Sequence, residues 1–594
     1  MSYLPINQHG LIGDLHTAAL VGCDGRVVWL PWPRFDSPSL FAALLDAANG
    51  GDWLLAPAAI TASEQEYDGE TAIVRTRFTT ATGQAELEDW MPPWDGDAPE
   101  HDLYRVLRCT AGTLAVHGRF APRPDYARQP VALNADDNGL RFEAHELPFH
   151  LESSHPWQVH GDSATLHVNL QAGESIVCVL RSGPPGIPTD AATARERTAR
   201  FWQEWIGRCT YAGPWQAAVR RSAITLKLLV YAPSGAIVAA PTTSLPEWIG
   251  GVRNWDYRYT WLRDASLTLL AFYQLGYHAE AYHFFAWLGA QAQRHGTPLR
   301  LMYGIGGELE LAEQTLDHLD GYRESRPVRI GNGAFDQRQL DIYGPVVGAA
   351  YLYEQQGDLL TPAQWQTLHD EVNYVCDHWQ EPDHGIWEIR GPMQQHTYSR
   401  LMCWVALDRG IRIADHEGWP YERERWHQVR AAIHADILAQ AWHEEVQAFT
   451  MSYESAELDA SLLTMALVGF LPPDDPRMVA TVEQIDQQLG RGPLVYRYRT
   501  DDHLPGDEGA FLLCSFWMVE ALARMGRLEE AEQRFRQLLD YASPHGLLAE
   551  EVDPADGTAL GNYPQAFSHI GLVNSAFTLL RARHNQAAPI STNV

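Results

Sequence analysis

Three stretches of this chain carry residues that could do chemistry together. The densest is RNWDYRYTWLRDAS, Arg253 to Ser266, in which Trp255, Tyr257, Tyr259 and Trp261 run directly into Arg263 and Asp264. Flat aromatic rings stack on the C–H faces of a pyranose, and an adjacent Arg and Asp can hydrogen-bond vicinal hydroxyls. An apolar helical pattern with Leu267, Leu270 and Ala271 follows, so Asp264 also reads as the N-cap of that helix. On this stretch alone both readings, sugar rim and helix cap, are open. Two glutamates further on fit an acid and a base. Glu388 stands in GIWE between Trp387 and Ile389, surroundings that disfavour the ionised form and raise the pKa, as a general acid near neutrality requires. Glu550 stands in LLAEEVDP, where a carboxylate that stays ionised could polarise a water. Carboxyls about 6.5–9.5 Å apart hydrolyse a glycoside with inversion, and a closer pair implies retention. Taken singly, each has a plainer reading: Glu388 as a solvated loop acid, and Glu550-Glu551 as acidic loop composition beside Asp553 and Asp556.

The elements that must position these residues fall into two classes. Residues 1–190 read as an antiparallel β-sandwich. Short, partly alternating runs such as Thr71–Thr80, Leu103–Thr110, Thr113–Phe120, Leu140–Ala144, Ala164–Leu170 and Glu174–Arg181 are separated by turn residues, with a hairpin turn at Cys23-Asp24-Gly25-Arg26. PRFDSPSLFAALLD reads as a loop entering a short helix, and the cluster SGPPGIPTD closes the domain. Residues 191–213 read as a linker helix. Residues 214–585 hold about twelve helical segments, beginning near Trp215, Asp264, His278, Asp341, Pro362, Ser399, Glu422, Leu458, Met478, Glu508, Leu528 and His569. Residues 586–594 are a tail. Twelve antiparallel helices in six hairpins close into an (α/α)6 barrel, and the fold class expected is multidomain β followed by all-α. The stretches rich in Trp, Glu, Arg and Gly all precede even-numbered helices, so alternation gathers them at one end of the barrel. There helix dipoles favour negative charge, and convergent loops form a pocket. Together with the Arg263-Asp264 rim, this alternation favours catalysis over the plainer readings of Glu388 and Glu550.

The formal charge of −31 over 594 residues argues against nucleic-acid and anionic-membrane partners, which reward clustered Lys and Arg. Cys23, Cys109, Cys178, Cys209, Cys376, Cys403 and Cys514 are odd in number and scattered, which suits a reducing cytoplasm. No His, Cys or carboxylate spacing marks a metal site, no cofactor motif is present, and no run is long enough to span a bilayer. The expected partner is a small-molecule substrate, with a homo-oligomer left open.

Read as a string of blocks, the chain resembles a bacterial member of glycoside hydrolase family 15, the glucoamylase family, which also contains trehalases. The resemblance runs through GDLHTAALVGCDGRVVWLPWPRFDSPSLFAALLD, YRYTWLRD, GYRESRPVRIGNGAFDQRQLDIYG, IWE, AEEVDP and GNYPQAFSHIGLVNSA, and covers essentially the whole length. It implies a β-sandwich joined by a linker to an (α/α)6 barrel, and inverting hydrolysis of terminal α-linked glucose. By resemblance Glu388 is the general acid and Glu550 the general base, with Glu551 second choice because the family commonly has Gln there. Arg263 and Asp264 hold the terminal glucose, Tyr257 and Trp261 line the same subsite beside Trp387, and Arg497 of YRY lies near the leaving group. The chain departs from the fungal starch-degrading members at Ile389, where they carry a second acid, and at Gly385, which replaces an acidic residue. Both changes fall on the leaving-group side. They leave the aglycone preference open, and a cytoplasmic enzyme without a starch-binding module is expected to act on small α-glucosides such as trehalose, isomaltose or maltooligosaccharides. Two other readings compete: a glycoside phosphorylase, which needs no base glutamate, and a non-catalytic carbohydrate-binding protein.

Overall fold

The computed structural model describes residues 3–587 apart from 94–100, 184–189, 297, 356, 358–359 and 501, and only the backbone of 585–587. The Pro- and Gly-rich cluster expected to close the first domain therefore lies largely outside the described residues, as does most of the expected tail.

The N-terminal part is an antiparallel sandwich whose two layers share one strand. Asp102–Ala121 runs through both. Its first half pairs with Gly83–Trp90 and Ser175–Ser182, and its second half with Asp52–Pro57 and Ser163–Gln171. The change of partners falls at Gly112, whose φ of 72° lies in the left-handed region where a side chain is disfavoured. Sequence reading splits this strand at the same glycine into two. Val74–Thr80 shows the alternating burial of a strand with one face on the core, whereas Ala18–Gly22 is buried on both faces. That is why the latter reads as a plain apolar run. The short helix expected after Pro33 is absent: the segment forms the strand Ser39–Phe41 followed by turns, pinned by backbone bonds from Ala42 to Gly50 and from Ala43 to Gly51.

Helix Ala191–Ile206 follows, capped by Asp190, whose carboxylate accepts from the Thr193 amide. The remaining chain is an (α/α)6 barrel. Its inner ring consists of Leu262–Leu275, Tyr343–Gln355, Thr397–Glu417, the short pair Ala460–Leu463 and Thr464–Val468, Leu512–Arg524 and Ala566–Ala587. Its outer ring consists of Gln216–Leu228, His278–His295, Pro362–His378, Arg423–Gln440, Pro476–Leu489 and Leu528–Leu539. Local signals set the ends. Pro362–His378 opens on a capping box between Thr361 and Gln364 with Pro at the first helical position, and Leu262–Leu275 and Thr397–Glu417 stop at left-handed Gly276 and Gly418. The inner helix Leu512–Arg524 is buried along almost its whole length, while outer Leu528–Leu539 buries only one stripe. No described helix is long and apolar enough to cross a membrane, and all seven cysteines are free.

The sandwich braces the end of the barrel at which the inner helices begin. Trp29 Nε1 donates to the Pro241 carbonyl at 2.8 Å, and the Tyr563 hydroxyl donates to the His9 carbonyl at 3.0 Å. Arg258, almost fully buried, is gripped by Asp256 at 2.8 and 2.6 Å, lies over Trp29 and Tyr126, and donates to the Ser37 carbonyl at 2.9 Å. The stretch Arg253–Ser266 is thus clamped between the two domains.

Within the ring, Glu520 is buried beside Thr578, which donates to it at 3.0 Å, and burial pushes its carboxyl from 4.5 to about 7. A carboxyl with a folded pKa above its unfolded value favours folding fully when protonated, below pH 4.5, and that contribution is lost as the pH rises towards 7. Glu520→Gln, neutral throughout, should match wild type in thermal unfolding at pH 4.5 and exceed it by about 2–3 kcal/mol at pH 8.

Candidate active site

The loops preceding the inner helices converge on a cleft at that end of the barrel. Its walls include Tyr257, Trp261, Arg263, Asp264, Trp387, Glu388, Arg497 and Glu550. Of the residues given catalytic or substrate-binding roles from the sequence, Glu551 alone does not line it.

Two arginines organise the cleft. Arg263 Nη1 donates to Asp341 Oδ2 at 3.0 Å and Gln339 Oε1 at 3.1 Å, and Nη2 donates to Glu388 Oε1 at 3.3 Å. The same glutamate oxygen accepts from Trp261 Nε1 at 2.7 Å. Asp264 stands 3.6 Å from Arg263 Nε. It is not the cap expected: Trp261 occupies that position without a side-chain bond, and Asp264 lies in the first turn. Its Oδ2 has no hydrogen-bond partner among the described residues, and burial pushes its carboxyl up to about 7, Glu388 adding to the rise and Arg263 opposing it. Burial also raises Glu388, again against Arg263 and Trp261. The backbone of Glu388 has φ of 59°, uncommon outside glycine, and its carbonyl accepts from Gln337 Nε2 at 3.2 Å. Trp387 is fixed by a bond from its Nε1 to Asp459 Oδ1 at 3.0 Å.

Opposite this group lies Arg497, surrounded by acids. Its Nη2 contacts Glu247 Oε2 at 2.9 Å, Glu508 Oε2 at 2.6 Å and Glu551 Oε1 at 3.1 Å. Glu551 also accepts from the Gly509 amide at 2.8 Å, so it is bound into the wall behind the cleft. Glu550 immediately precedes the strand Glu551–Val552 and lines the cleft. Glu550 Oε2 accepts from the Asn562 amide at 3.0 Å, while Oε1 has no hydrogen-bond partner among the described residues. Burial raises its pKa, with Glu247 adding to the rise and Arg497 opposing it. The Tyr257 phenol is raised by burial and by the charges of both Glu550 and Glu388, so it stands within electrostatic reach of each. Its ring meets Trp261 edge-on at 5.5 Å.

Family models match almost the whole of this architecture. Residues 213–577 match the family described as Glycosyl hydrolases family 15, and residues 2–205 match the domain described as Trehalase-like, N-terminal. The chain belongs to glycosyl hydrolase family 15. It is accordingly a glycoside hydrolase with the sandwich-and-barrel plan of that family. It is 40% identical to a trehalase of Mycolicibacterium smegmatis, over 97% of this chain and 92% of that one. It is 33% identical to a trehalase of Thermoplasma volcanium, over 99% of this chain and 96% of the relative. Among solved structures, a bacterial glucoamylase complexed with acarbose superposes with a TM-score of 0.73, covering 98% of this chain and 95% of that one at 12% identity.

The structure adds site residues that sequence reading passed over. Glu247, Asp341, Asp459 and Asn562 each hold a cleft residue in place, through Arg497, Arg263, Trp387 and Glu550 respectively. Asp341 and Asn562 fall inside blocks already singled out, whereas Glu247, in TSLPEW, precedes them and carries only its neighbouring Trp248 as a signal. Glu247, Glu508 and Glu551 offer oxygens close enough to share a cation, and Asp14, His16 and His101 form a second such group. Arg497 already answers the charge of the first, and in the second Asp14 is paired with His101 at 2.6 Å. Because Arg497 faces three carboxylates out of water, removing it leaves buried charges unpaired. Arg497→Met should lower stability by about 3–5 kcal/mol, measured by chemical denaturation at pH 7.

Proposed function

We propose that this chain hydrolyses α,α-trehalose by a single displacement with inversion, Glu388 protonating the leaving glucose oxygen and Glu550 activating water. The reading rests on one observation: Glu388 and Glu550 open onto the same cleft, each held through one oxygen. Glu550 Oε1, without a hydrogen-bond partner among the described residues, can take a proton from a water, and desolvation favours the protonated form of Glu388. Arg263 and Asp264 would bind hydroxyls of the glucose that is attacked, with Tyr257, Trp261 and Trp387 packing against its ring. Arg497 holds the wall behind Glu550, with Glu551 as its partner and not as a second base. The name trehalase carried by relatives aligned over nearly the whole chain supports the choice of trehalose among small α-glucosides. The sandwich of residues 1–190 would then act as the brace of the catalytic stretch, and residues 214–585 as the catalytic domain.

Stereochemistry tests the displacement. Inversion at the attacked carbon releases one β-glucose, while the leaving glucose keeps its α configuration, so early time points by NMR should show the two anomers in equal amounts. Release of α-glucose alone would mean retention and would remove Glu550 from the role of base.

Acid assistance separates the two glutamates. Glu388→Gln should lower kcat on trehalose by about 10²–10⁴-fold and spare α-D-glucopyranosyl fluoride, whose leaving group needs little protonation. Glu550→Gln should abolish turnover of both.

The pH profile of kcat/KM should be a bell. Turnover falls at high pH as Glu388 loses its proton, and at low pH as Glu550 gains one, and its raised pKa places the acid limb above the ordinary carboxylate range. Glu247 contributes to that rise. Glu247→Gln should therefore move the acid limb to lower pH, and an unmoved limb would break the link between Glu247 and the base.

A further inference from the structure

The cleft has one wall to which no role has yet been given. Arg390 lies two residues beyond Glu388 on the same loop and lines the cleft together with Trp255. Its guanidinium carbon sits 4.4 Å from the Trp255 ring centroid, and that of Arg329 sits 4.5 Å from the same ring. Glu313 ties the two arginines together. It accepts from Arg390 Nη1 at 3.1 Å and Nη2 at 2.5 Å in a two-pronged pair, and contacts Arg329 Nε at 3.3 Å. Arg329 is anchored in turn to the carbonyls of Val252 at 2.7 Å and Asn254 at 3.1 Å. The Trp255 carbonyl accepts from Asn562 Nδ2 at 2.9 Å, and the Asn562 amide holds Glu550. One continuous set of contacts thus joins the Glu388 loop to the Glu550 loop around this wall.

A guanidinium has five N–H donors, and the pair with Glu313 uses one from each Nη. The remaining three on Arg390 have no partner among the described residues, and its side chain is about a third exposed, at 34%. The carboxylate and the indole fix the plane of the fork, and with it the directions of these donors. A residue beside the general acid on the cleft wall abuts the leaving group, because the acid delivers its proton to the leaving-group oxygen.

We propose that Arg390, locked by Glu313 against Trp255, is the specificity determinant for the leaving group. It donates to hydroxyls of a single leaving-group sugar and closes the cleft beyond that sugar, backed by Arg329 through Trp255 and Glu313. The inference rests on the reading of the site as an α-glucosidase and narrows its substrates to disaccharides. A third sugar would have to displace a guanidinium held by a two-pronged ion pair and an aromatic ring, which costs both contacts at once. A starch-degrading site needs an open end at this point.

The test compares substrates with and without a leaving-group sugar. Steady-state kinetics of wild type, Arg390→Gln and Glu313→Gln are measured on trehalose, maltose, maltotriose and α-D-glucopyranosyl fluoride. For Arg390→Gln, kcat/KM on trehalose should fall about 10- to 100-fold more than on the fluoride, mostly through KM, since only trehalose presents hydroxyls there. Glu313→Gln, which frees the fork without removing it, should show the same selective loss to a smaller extent. In both variants the ratio of maltotriose to maltose turnover should rise. Equal fractional losses on trehalose and fluoride would make Arg390 a support of the acid loop and overturn the proposal, as would unchanged kinetics on all four. Wild-type protein inert on trehalose and fluoride alike would sink the functional reading itself, an outcome distinct from a failure of the variants.

Discussion

More negative charge is buried around this cleft than positive charge. Arg263 meets Asp264, Asp341 and Glu388, and Arg497 meets Glu247, Glu508 and Glu551, with Glu550 between the groups. With Arg253, which bridges Asp502 and Glu508, three guanidiniums face eight carboxyls out of water, so protons must make up part of the difference. Burial is the main cause of the raised carboxyl pKa values, and this shortage of cations leaves it only partly opposed. It favours the protonated form of Glu388 without any special chemistry at that residue itself. Desolvation sets the scale, and each arginine decides which of its neighbours stays ionised.

The barrel is the means of assembling so many acids in one place. Six inner helices begin at the same end, and their partial positive charges point at the cleft, which lessens the cost of collecting carboxyls there. The sandwich contributes rigidity. Arg258, clasped by Asp256 beneath Trp29, fastens the Arg253–Ser266 stretch from behind, so that Arg263 and Trp261 present their donors to Glu388 from a fixed frame. The trehalase-like character of the N-terminal part and the glycosidase character of the barrel are in this sense features of one site.

Much of this was legible in the residues. Helices declare themselves through a repeating apolar face, and the inner and outer rings begin within a few residues of the periodicity-based positions, from Gln216 to Ala566. Strands buried on both faces do not alternate, which is why His9–Gly13 escapes notice, whereas Asp102–Ala121 reads as two elements because Ala111-Gly112 in its middle reads as a turn. The short helix after Pro33 failed because the local apolar run Leu40–Leu45 was recruited into a strand edge and turns by long-range pairing, which no local pattern records. At the site, residues carried by aromatic-rich blocks were readable, while Glu247 was not. Its importance comes from Arg497, which lies 250 positions away. Asp264 shows the opposite error. A short acid before an apolar run resembles a cap, and only its position inside the first turn, beside Arg263, shows that the carboxylate is left over for another use.

The left-handed backbone at Glu388 has a consequence for how this loop can change. A residue with a side chain is uncomfortable at φ of 59°, and glycine alone sits there without penalty. Any lineage that lost the need for a proton donor would gain foldedness by drifting to glycine at this position, with the neighbouring Trp387 and Arg390 untouched. On the proposed mechanism, a glutamate kept there marks use of the carboxyl, and a glycine in a related chain would mark a sugar-binding descendant that no longer cuts.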